Sequence, residues 1–134
     1  MNYTFRKSER INSKLIIDKL FAGGNSSNAV FPLRIVYMAI PKEEAPQSMD
    51  DVPASILISV PKKRFRNAVD RNRLKRLIRE AYRTNKGVLW QVLGGKGYKV
   101  AIAFISITDK MPTFYQVNKA VARALIIISE KIQG

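Results

Sequence analysis

Apolar and polar residues follow two different spacings along this chain of 134 residues, and the spacing separates predicted helices from predicted strands. Spacings of three and four put apolar side chains on one face of a helix, whereas strands are short runs of branched and aromatic residues. By the first criterion we predict three helices, over residues 12–21, 67–84 and 112–132. By the second criterion we predict three strands, over residues 30–40, 54–60 and 98–106.

The order strand, long helix, strand over residues 54–106 forms a β-α-β unit, which predicts parallel neighbouring strands and a mixed α/β or α+β class. Residues 98–106 are too apolar for a solvated face, so this strand is expected at the sheet centre. Pro32 favours an edge strand or a bulge near the start of the first strand. Residues 41–53 hold one lysine and four acids and are expected to form a solvated loop, while residues 86–93 add a short helical turn.

The length and composition of the chain limit which architectures and which cellular compartments are expected. With 46% hydrophobic residues, the chain is expected to fold as one domain over residues 1–134 around a single core. Its apolar runs fall far short of the ~18 residues of a membrane span, and its N-terminal charges precede no apolar stretch of a secretory signal. We therefore expect a cytoplasmic protein without a membrane partner.

The chain contains neither histidine nor cysteine, the side chains that most often act as general base or nucleophile near neutral pH. Disulfides and cysteine zinc sites are excluded as well. Four acids cluster in the 41–53 loop, and Asp70 and Glu80 stand alone among arginines, so no two-metal nuclease site is predicted. We expect no catalytic residue and no metal ligand in this chain.

Positive charge is concentrated around the second predicted helix. Residues 59–86 hold eleven lysines and arginines against two acids, which is most of the formal net charge of +14. At roughly 100° of rotation per residue, residues 71–83 separate into an apolar strip and a cationic face. The apolar strip consists of Leu74, Leu77, Ile78 and Ala81. The cationic face consists of Asn72, Lys75, Arg76, Arg79 and Arg83, with Arg71 and Arg73 at its borders.

Like charges on one helix face repel each other, which costs stability unless a polyanion neutralises them. Contacts from arginine and lysine to a phosphate backbone give affinity and register without reading sequence. We therefore predict that this face binds a folded RNA by its shape and that the acidic 41–53 loop faces away from it. The alternatives are a solvated basic face without a partner and a membrane-surface helix, which the lack of Trp and Phe in the apolar strip disfavours.

A second RNA site is predicted between the first helix and the sheet, because apolar side chains beside cations suit single-stranded RNA. The apolar candidates are Phe21, Ile17, Leu33 and Ile35, and the neighbouring cations are Arg6, Lys7, Arg34, Lys62 and Lys63. Plain core packing is the alternative for Phe21 and Ile17. Phe65 is a further stacking candidate, with pinning of its loop to the sheet as the alternative.

The sequence SVPKK followed by RFRNAVDRNRLKRLIREAYR, over residues 59–83, resembles the signature of the bacterial ribonuclease P protein subunit. In that family a Ser/Thr-Val-x-Lys-Lys turn precedes an R-N-x-x-K-R-x-x-R-E helix, and the flanking elements recur here in the same order. The resemblance implies an α+β fold, a single-domain α-β sandwich whose central mixed sheet has about four strands and three helices. It also implies a left-handed β-α-β crossover around the basic helix.

The resemblance implies a function as well. The protein would be a monomer that binds ribonuclease P RNA, one copy per RNA, and assists removal of the 5′ leader of precursor tRNA. Mg²⁺ held mainly by the RNA would carry the hydrolysis. The residues meeting the catalytic RNA would be Arg71, Asn72, Arg73, Lys75, Arg76 and Arg79. The cleft holding the leader would include Phe21, Ser59, Lys62 and Lys63.

The sequence departs from the family pattern around this cleft. Ile17 stands where the family often has a second aromatic residue, Pro32-Leu33-Arg34 changes the cleft strand, and the 41–53 loop is long. Leader binding is therefore expected to use less stacking and more charge. Two other functions stay open. One is a ribosome-associated protein with the same helix, and the other is an RNA-cleaving enzyme in its own right, against which the absence of histidine argues.

Overall fold

One mixed sheet of four strands carries helices on both of its faces. The structure, a computed structural model, describes residues 4–133, so residues 1–3 and 134 of the predicted domain lie outside the described residues. The strands are β1 (Ser26–Val30), β2 (Leu33–Pro41), β3 (Ala54–Ser59) and β4 (Tyr98–Ser106). The helices are α1 (Lys14–Leu20), α2 (Ala68–Asn85), α3 (Gly87–Leu93) and α4 (Phe114–Gln133).

The strand order is β1-β2-β4-β3, which puts the apolar strand β4 in the interior of the sheet as its sequence predicts. β2 pairs antiparallel with both β1 and β4, whereas β3 pairs parallel with β4. The parallel pair is connected through α2 and α3, so the predicted β-α-β unit is confirmed. The α+β class with a central mixed sheet is confirmed too, and the left-handed sense of the crossover stays a prediction.

The prediction of one strand over residues 30–40 is wrong, because two strands meet in this region. β1 and β2 form a hairpin whose turn contains Phe31 and Pro32, joined by a cis peptide bond. Pro32 thus lies outside both strands, and β2 is an interior strand, not the edge strand that this proline suggested. With β1 and the short helix α3, the described chain has four strands and four α-helices.

Helices α1 and α2 differ in how their ends are capped. Ser13 accepts a hydrogen bond from the backbone N–H of Ile16 at 3.4 Å, as an N-cap residue does. Gly23 and Gly24 follow α1 with φ angles of +92° and +82°, a region that residues with a Cβ disfavour. Asn67 precedes α2 without capping it through its side chain. The helix over residues 67–84 is nevertheless confirmed within one residue at each end.

The two faces of the sheet bury separate sets of apolar side chains. Helices α2, α3 and α4 cover one face, where α4 buries one stripe of apolar side chains: Val117, Ala120, Val121, Ala124 and Ile128. Helix α1 and the 41–53 segment cover the other face with Ile16, Leu20, Met49 and Val52. The four acids of the 41–53 segment are exposed as predicted, but Met49 and Val52 anchor it to the sheet.

Tyr82 is fully buried near the end of α2, where its hydroxyl oxygen accepts a hydrogen bond from Trp90 Nε1 at 3.1 Å. Burial raises the pKa of the Tyr82 hydroxyl far above its ordinary value, although the hydrogen bond from Trp90 opposes this shift. Folding therefore disfavours the phenolate. The free energy of unfolding is expected to fall as the pH rises above about 10, where tyrosine ionises in the unfolded chain.

Tyr82→Phe is expected to remove this part of the pH dependence and to lower the free energy of unfolding at neutral pH by about 1 kcal/mol, because half-buried Trp90 loses its acceptor. Urea unfolding at neutral pH and near pH ~11 measures both effects. Tyr115→Phe is the matched control, since this ring is 72% exposed and should change neither quantity. An alkaline pH dependence identical in Tyr82→Phe and the unmodified protein would contradict the prediction.

Candidate nucleic-acid interface

The predicted cationic face of α2 lies on the outside of the molecule. Leu74, Ile78 and Ala81 are 0% exposed and turn into the core, while Leu77 at the border is half-buried. On the opposite side Asn72, Arg73 and Arg76 are exposed, and Arg71, Lys75, Arg79 and Arg83 are half-buried. We call these seven polar residues the α2 basic surface. One regular helix thus brings together all the residues predicted to meet a folded RNA.

Two members of the α2 basic surface, Arg71 and Arg83, form hydrogen bonds to other groups of the protein. Arg71 donates from Nη1 to the carbonyl oxygens of Phe65 and Arg66, both at 2.8 Å, and so holds the loop before α2. Arg83 donates to both carboxylate oxygens of Glu80, from Nε at 3.0 Å and from Nη2 at 2.5 Å. The hydrogen bond lowers the pKa of Glu80 and raises the pKa of Arg83. Both groups are solvated, so screening leaves little net stabilisation.

The remaining members have no side-chain hydrogen bond or ion pair within residues 4–133: Asn72, Arg73, Lys75, Arg76 and Arg79. The pKa of Arg79 reflects the repulsion among these charges. Burial lowers the pKa of Arg79 most, and the positive charges of Arg10 and Arg76 lower it further. A polyanion bound to this surface would therefore reduce the repulsion between its cations.

Arg10, in the N-terminal segment, lies beside Lys75 and Arg79 of the α2 basic surface, and sequence reasoning missed it. The segment runs along the edge of β3, where Arg10 forms a parallel bridge with Ile56 and the Ile11 N–H donates to the Ile56 oxygen at 2.9 Å. The Arg10 guanidinium also lies 5.5 Å from the ring centroid of Phe5. No spacing pattern marks Arg10, because its position depends on pairing with a distant strand.

A groove of about 210 Å³ runs between the N-terminal segment, β3 and α2. Its apolar part is formed by Phe5, Ile11, Ile56, Leu57 and Ile58, and its cations are Arg10, Lys75 and Arg79. An apolar floor can accept a base or a ribose while the cations meet the adjoining phosphates. The groove thus extends the contact surface beyond the helix.

The pairing of β2 corrects the predicted cleft between α1 and the sheet. Leu33 and Ile35 are 1% and 0% exposed and face α2 and α4, so they do not line this cleft. Successive side chains of a strand alternate between faces, which turns Arg34 toward the α1 side. Arg34 pairs with Ile105, and Ile105 with Ser59, so these three residues form one row across that face.

The other cleft candidates differ in how accessible they are. Phe21 is 50% exposed at the end of α1, Ile17 is half-buried, and Lys62 and Lys63 are exposed in the loop after β3. Phe65 is only 7% exposed and packs into the core, so it pins its loop and is not available for stacking on a base. We call the set Phe21, Arg34, Ser59, Lys62, Lys63 and Ile105 the α1 cleft.

Residues 4–133 contain neither a metal-ligand cluster nor a helix that could span a membrane. Across the described chain, residues 4–133, acidic side chains do not gather in groups of three or more that could hold a metal ion. Among the same residues, every helix is too short or too polar to cross a membrane. The observed chemistry of the surface is that of cations with adjoining apolar area, which suits binding to polyanions.

The chain is similar in sequence to known proteins over nearly its whole length. A sequence model of the family described as Ribonuclease P matches residues 5–129. The ribonuclease P protein component of Porphyromonas gingivalis is 42% identical over 126 residues, covering 94% of this chain and 87% of that protein. The ribonuclease P protein component of Chlorobaculum tepidum is 39% identical over 103 residues, covering 74% of this chain and 64% of that protein.

The fold is similar to solved structures as well. The RNase P protein of Staphylococcus aureus superposes with a TM-score of 0.66 at 24% identity, covering 91% of this chain and 96% of that one. The RNase P protein of Thermotoga maritima superposes with a TM-score of 0.64 at 20% identity, covering 87% of this chain and 94% of that one. At such identities the likeness supports the shared fold.

Proposed function

Because the chain belongs to the ribonuclease P protein family, we propose that it binds ribonuclease P RNA and the 5′ leader of precursor tRNA. Family membership assigns it to the ribonuclease P ribonucleoprotein and to tRNA processing. The finer proposal is that one copy per RNA, acting in the cytoplasm, assists Mg²⁺-dependent endonucleolytic removal of the leader. The products are the free leader and the mature 5′ end of the tRNA.

The α2 basic surface carries this proposal. Lys75, Arg76 and Arg79 share one helix face, with exposed Arg73 at its border, and none has a partner side chain within the described part of the chain. Phosphates of a folded RNA supply the missing counter-charges. If about six phosphates are neutralised, the logarithm of the binding constant falls with the logarithm of salt concentration with a slope on the order of −4 to −5.

We assign the reaction chemistry to the RNA. The chain has no histidine or cysteine, and its acidic side chains between residues 4 and 133 form no group that could hold a metal ion, so we infer that its own groups bind and orient. When bound to the RNA, Mg²⁺ would supply an activated water and stabilise charge on the scissile phosphate. The protein would lower the Mg²⁺ concentration needed for assembly by adding positive charge.

The α1 cleft is the proposed site of the leader. Phe21 offers one half-exposed ring for stacking, and Arg34, Lys62 and Lys63 offer charges along the path. Because Ile17 replaces a second ring and Phe65 is buried, leader binding depends more on charge than on stacking. Ser59 and Ile105 lie in one row with Arg34 on the sheet face that α1 covers.

The test of the proposed function is a cleavage assay at low Mg²⁺ with a bacterial ribonuclease P RNA and a precursor tRNA. The protein is expected to enhance cleavage at the correct 5′ position, and the protein alone is expected to cleave nothing. Unchanged cleavage by the RNA would refute the assignment to this complex. Cleavage by the protein alone with Mg²⁺ would instead favour an enzyme in its own right.

Phe21→Ala is expected to weaken binding of a precursor tRNA to the assembled complex by about 1 kcal/mol, because one stacked base loses its ring. Mature tRNA without a leader should bind equally to both forms of the complex. Leu15→Ala is the matched control, since Leu15 is 63% exposed on another side of the same helix. Equal losses for precursor and mature tRNA would place Phe21 outside the leader path.

A further inference from the structure

A second combination of aromatic rings and cations lies outside the α2 basic surface and the α1 cleft. Phe31, in the turn between β1 and β2, is 70% exposed, and Tyr115, at the start of α4, is 72% exposed. Single exposed apolar side chains are common on proteins, but adjoining ones mark contact surfaces. Phe31 and Tyr115 line one and the same groove, which makes them an adjoining pair.

This groove has a volume of about 310 Å³. Its walls are the hairpin turn, with Val30, Phe31 and Pro32, and the first half of α4, with Tyr115, Gln116, Lys119, Ala120 and Arg123. Tyr115, Lys119 and Arg123 are spaced by four residues, so they form a single line along the helix. We call this site the α4 groove. It shares no lining residue with the groove beside Arg10.

The charged residues that line the α4 groove are both positive. No acidic residue lines it, and neither Lys119 nor Arg123 forms an ion pair with any residue between 4 and 133. Two cations four residues apart on a helix repel each other. An anionic ligand would relieve that repulsion, and the two rings beside the cations call for a ligand with flat apolar faces.

We propose that the α4 groove binds an unpaired RNA segment, with a base stacked on Tyr115 beside Phe31 and the adjoining phosphates on Lys119 and Arg123. Stacking of this kind tolerates any base, and the cations follow the backbone. The volume lies at the lower end for ligand pockets, which suits a single nucleotide. The source of the RNA rests on the proposed function, and it is either ribonuclease P RNA or the precursor tRNA.

Tyr115→Ala and a Lys119→Gln/Arg123→Gln double variant test this site. Tyr115→Phe is the control that keeps the ring, and Lys42→Gln/Lys131→Gln is the control that removes two exposed lysines elsewhere. Two affinities are measured at one salt concentration, that of each protein for ribonuclease P RNA alone and that of each assembled complex for a precursor tRNA. Thermal unfolding of each variant checks that the fold is retained. We expect it to be retained because Tyr115, Lys119 and Arg123 are all exposed.

Tyr115→Ala is expected to weaken one of these affinities about five- to tenfold, near the lower limit for loss of a base stacked on an aromatic ring. Tyr115→Phe and the lysine control should stay within about twofold of the unmodified protein. A loss confined to ribonuclease P RNA identifies that RNA as the source, and a loss confined to precursor tRNA identifies the substrate. If both affinities are unchanged in Tyr115→Ala and in the Lys119/Arg123 variant, the proposal is overturned.

Failure of the proposed function would give a different result from failure of the α4 groove proposal alone. In that case the unmodified protein binds neither RNA, and the α4 groove proposal falls with it. Failure of the α4 groove alone leaves binding by the unmodified protein intact. Binding then also stays sensitive to substitutions on the α2 basic surface.

Discussion

Replacing Arg76 and Arg79 together by alanine is expected to weaken binding to ribonuclease P RNA by about 1–3 kcal/mol. The slope of log binding constant against log salt should become less steep by roughly two, because two phosphate contacts are lost. Neither side chain has a hydrogen bond or ion pair within residues 4–133, so their charges are available to the RNA. Filter binding or fluorescence titration over a series of salt concentrations measures both quantities.

The same variant should fold at least as stably as the unmodified protein. Burial lowers the pKa of Arg79 most, and the positive charges of Arg10 and Arg76 lower it further, as like charges close together do in the free protein. Removing two of them therefore relieves repulsion. Lys42→Ala/Lys131→Ala is the matched control, since it removes two exposed charges far from α2 in the chain. If this control and the arginine variant lost equal affinity, the effect would be net charge and not the α2 basic surface.

Replacing Lys86 by methionine is expected to lower the free energy of unfolding by about 3–5 kcal/mol. Lys86 Nζ is completely buried and donates to Glu9 Oε1 at 2.8 Å and to the Thr4 carbonyl oxygen at 2.7 Å. It also lies 4.4 Å from the ring centroid of Trp90. Glu9 is 0% exposed, so methionine would leave a buried carboxylate without its lysine partner.

A Glu9→Gln/Lys86→Met double variant should recover most of that loss, because a neutral amide then replaces the buried carboxylate that has lost its lysine, while Arg6 keeps its ion pair with Asp51. Urea unfolding of the single and double variants measures the difference, with Lys110→Met as a control at an exposed lysine. Equal destabilisation of Lys86→Met and the double variant would show that the two charges are not coupled. The ion pair also anchors the segment carrying Arg10, so RNA affinity should fall in Lys86→Met and in the double variant, both of which lack it.

The sequence predicts best where the structure is local. Helix α2 follows from spacings of three and four alone, and both its buried strip and the α2 basic surface are where the pattern places them. Strand β4 is likewise found at its predicted bounds, since a long apolar run needs cover on both faces. Strand β1 was missed because its Ser-Ser-Asn sequence is polar and its pairing with β2 uses the backbone.

The candidate site was less predictable where distant segments meet. The alternation of side chains in β2 predicts that Leu33 and Ile35 share one face of the sheet. It does not predict which helix covers that face, and in the structure both side chains point away from α1. The placement of Arg10 depends on its bridge to Ile56 and on the ion pair between Glu9 and Lys86. No spacing rule joins residues so far apart in the chain, so only the folded structure shows these contacts.

The central claim is that the exposed face of α2 lies on the RNA, and a tethered cleavage reagent tests it most directly. The chain contains no cysteine, so Asn72→Cys gives a single attachment point for an iron chelate that cuts nearby RNA by hydroxyl radicals. Gln47→Cys, exposed in the acidic 41–53 segment, is the control position. The account predicts strong cuts confined to one region of ribonuclease P RNA from position 72 and none from position 47. Equal cutting from both positions, or cutting from position 47 alone, would contradict it.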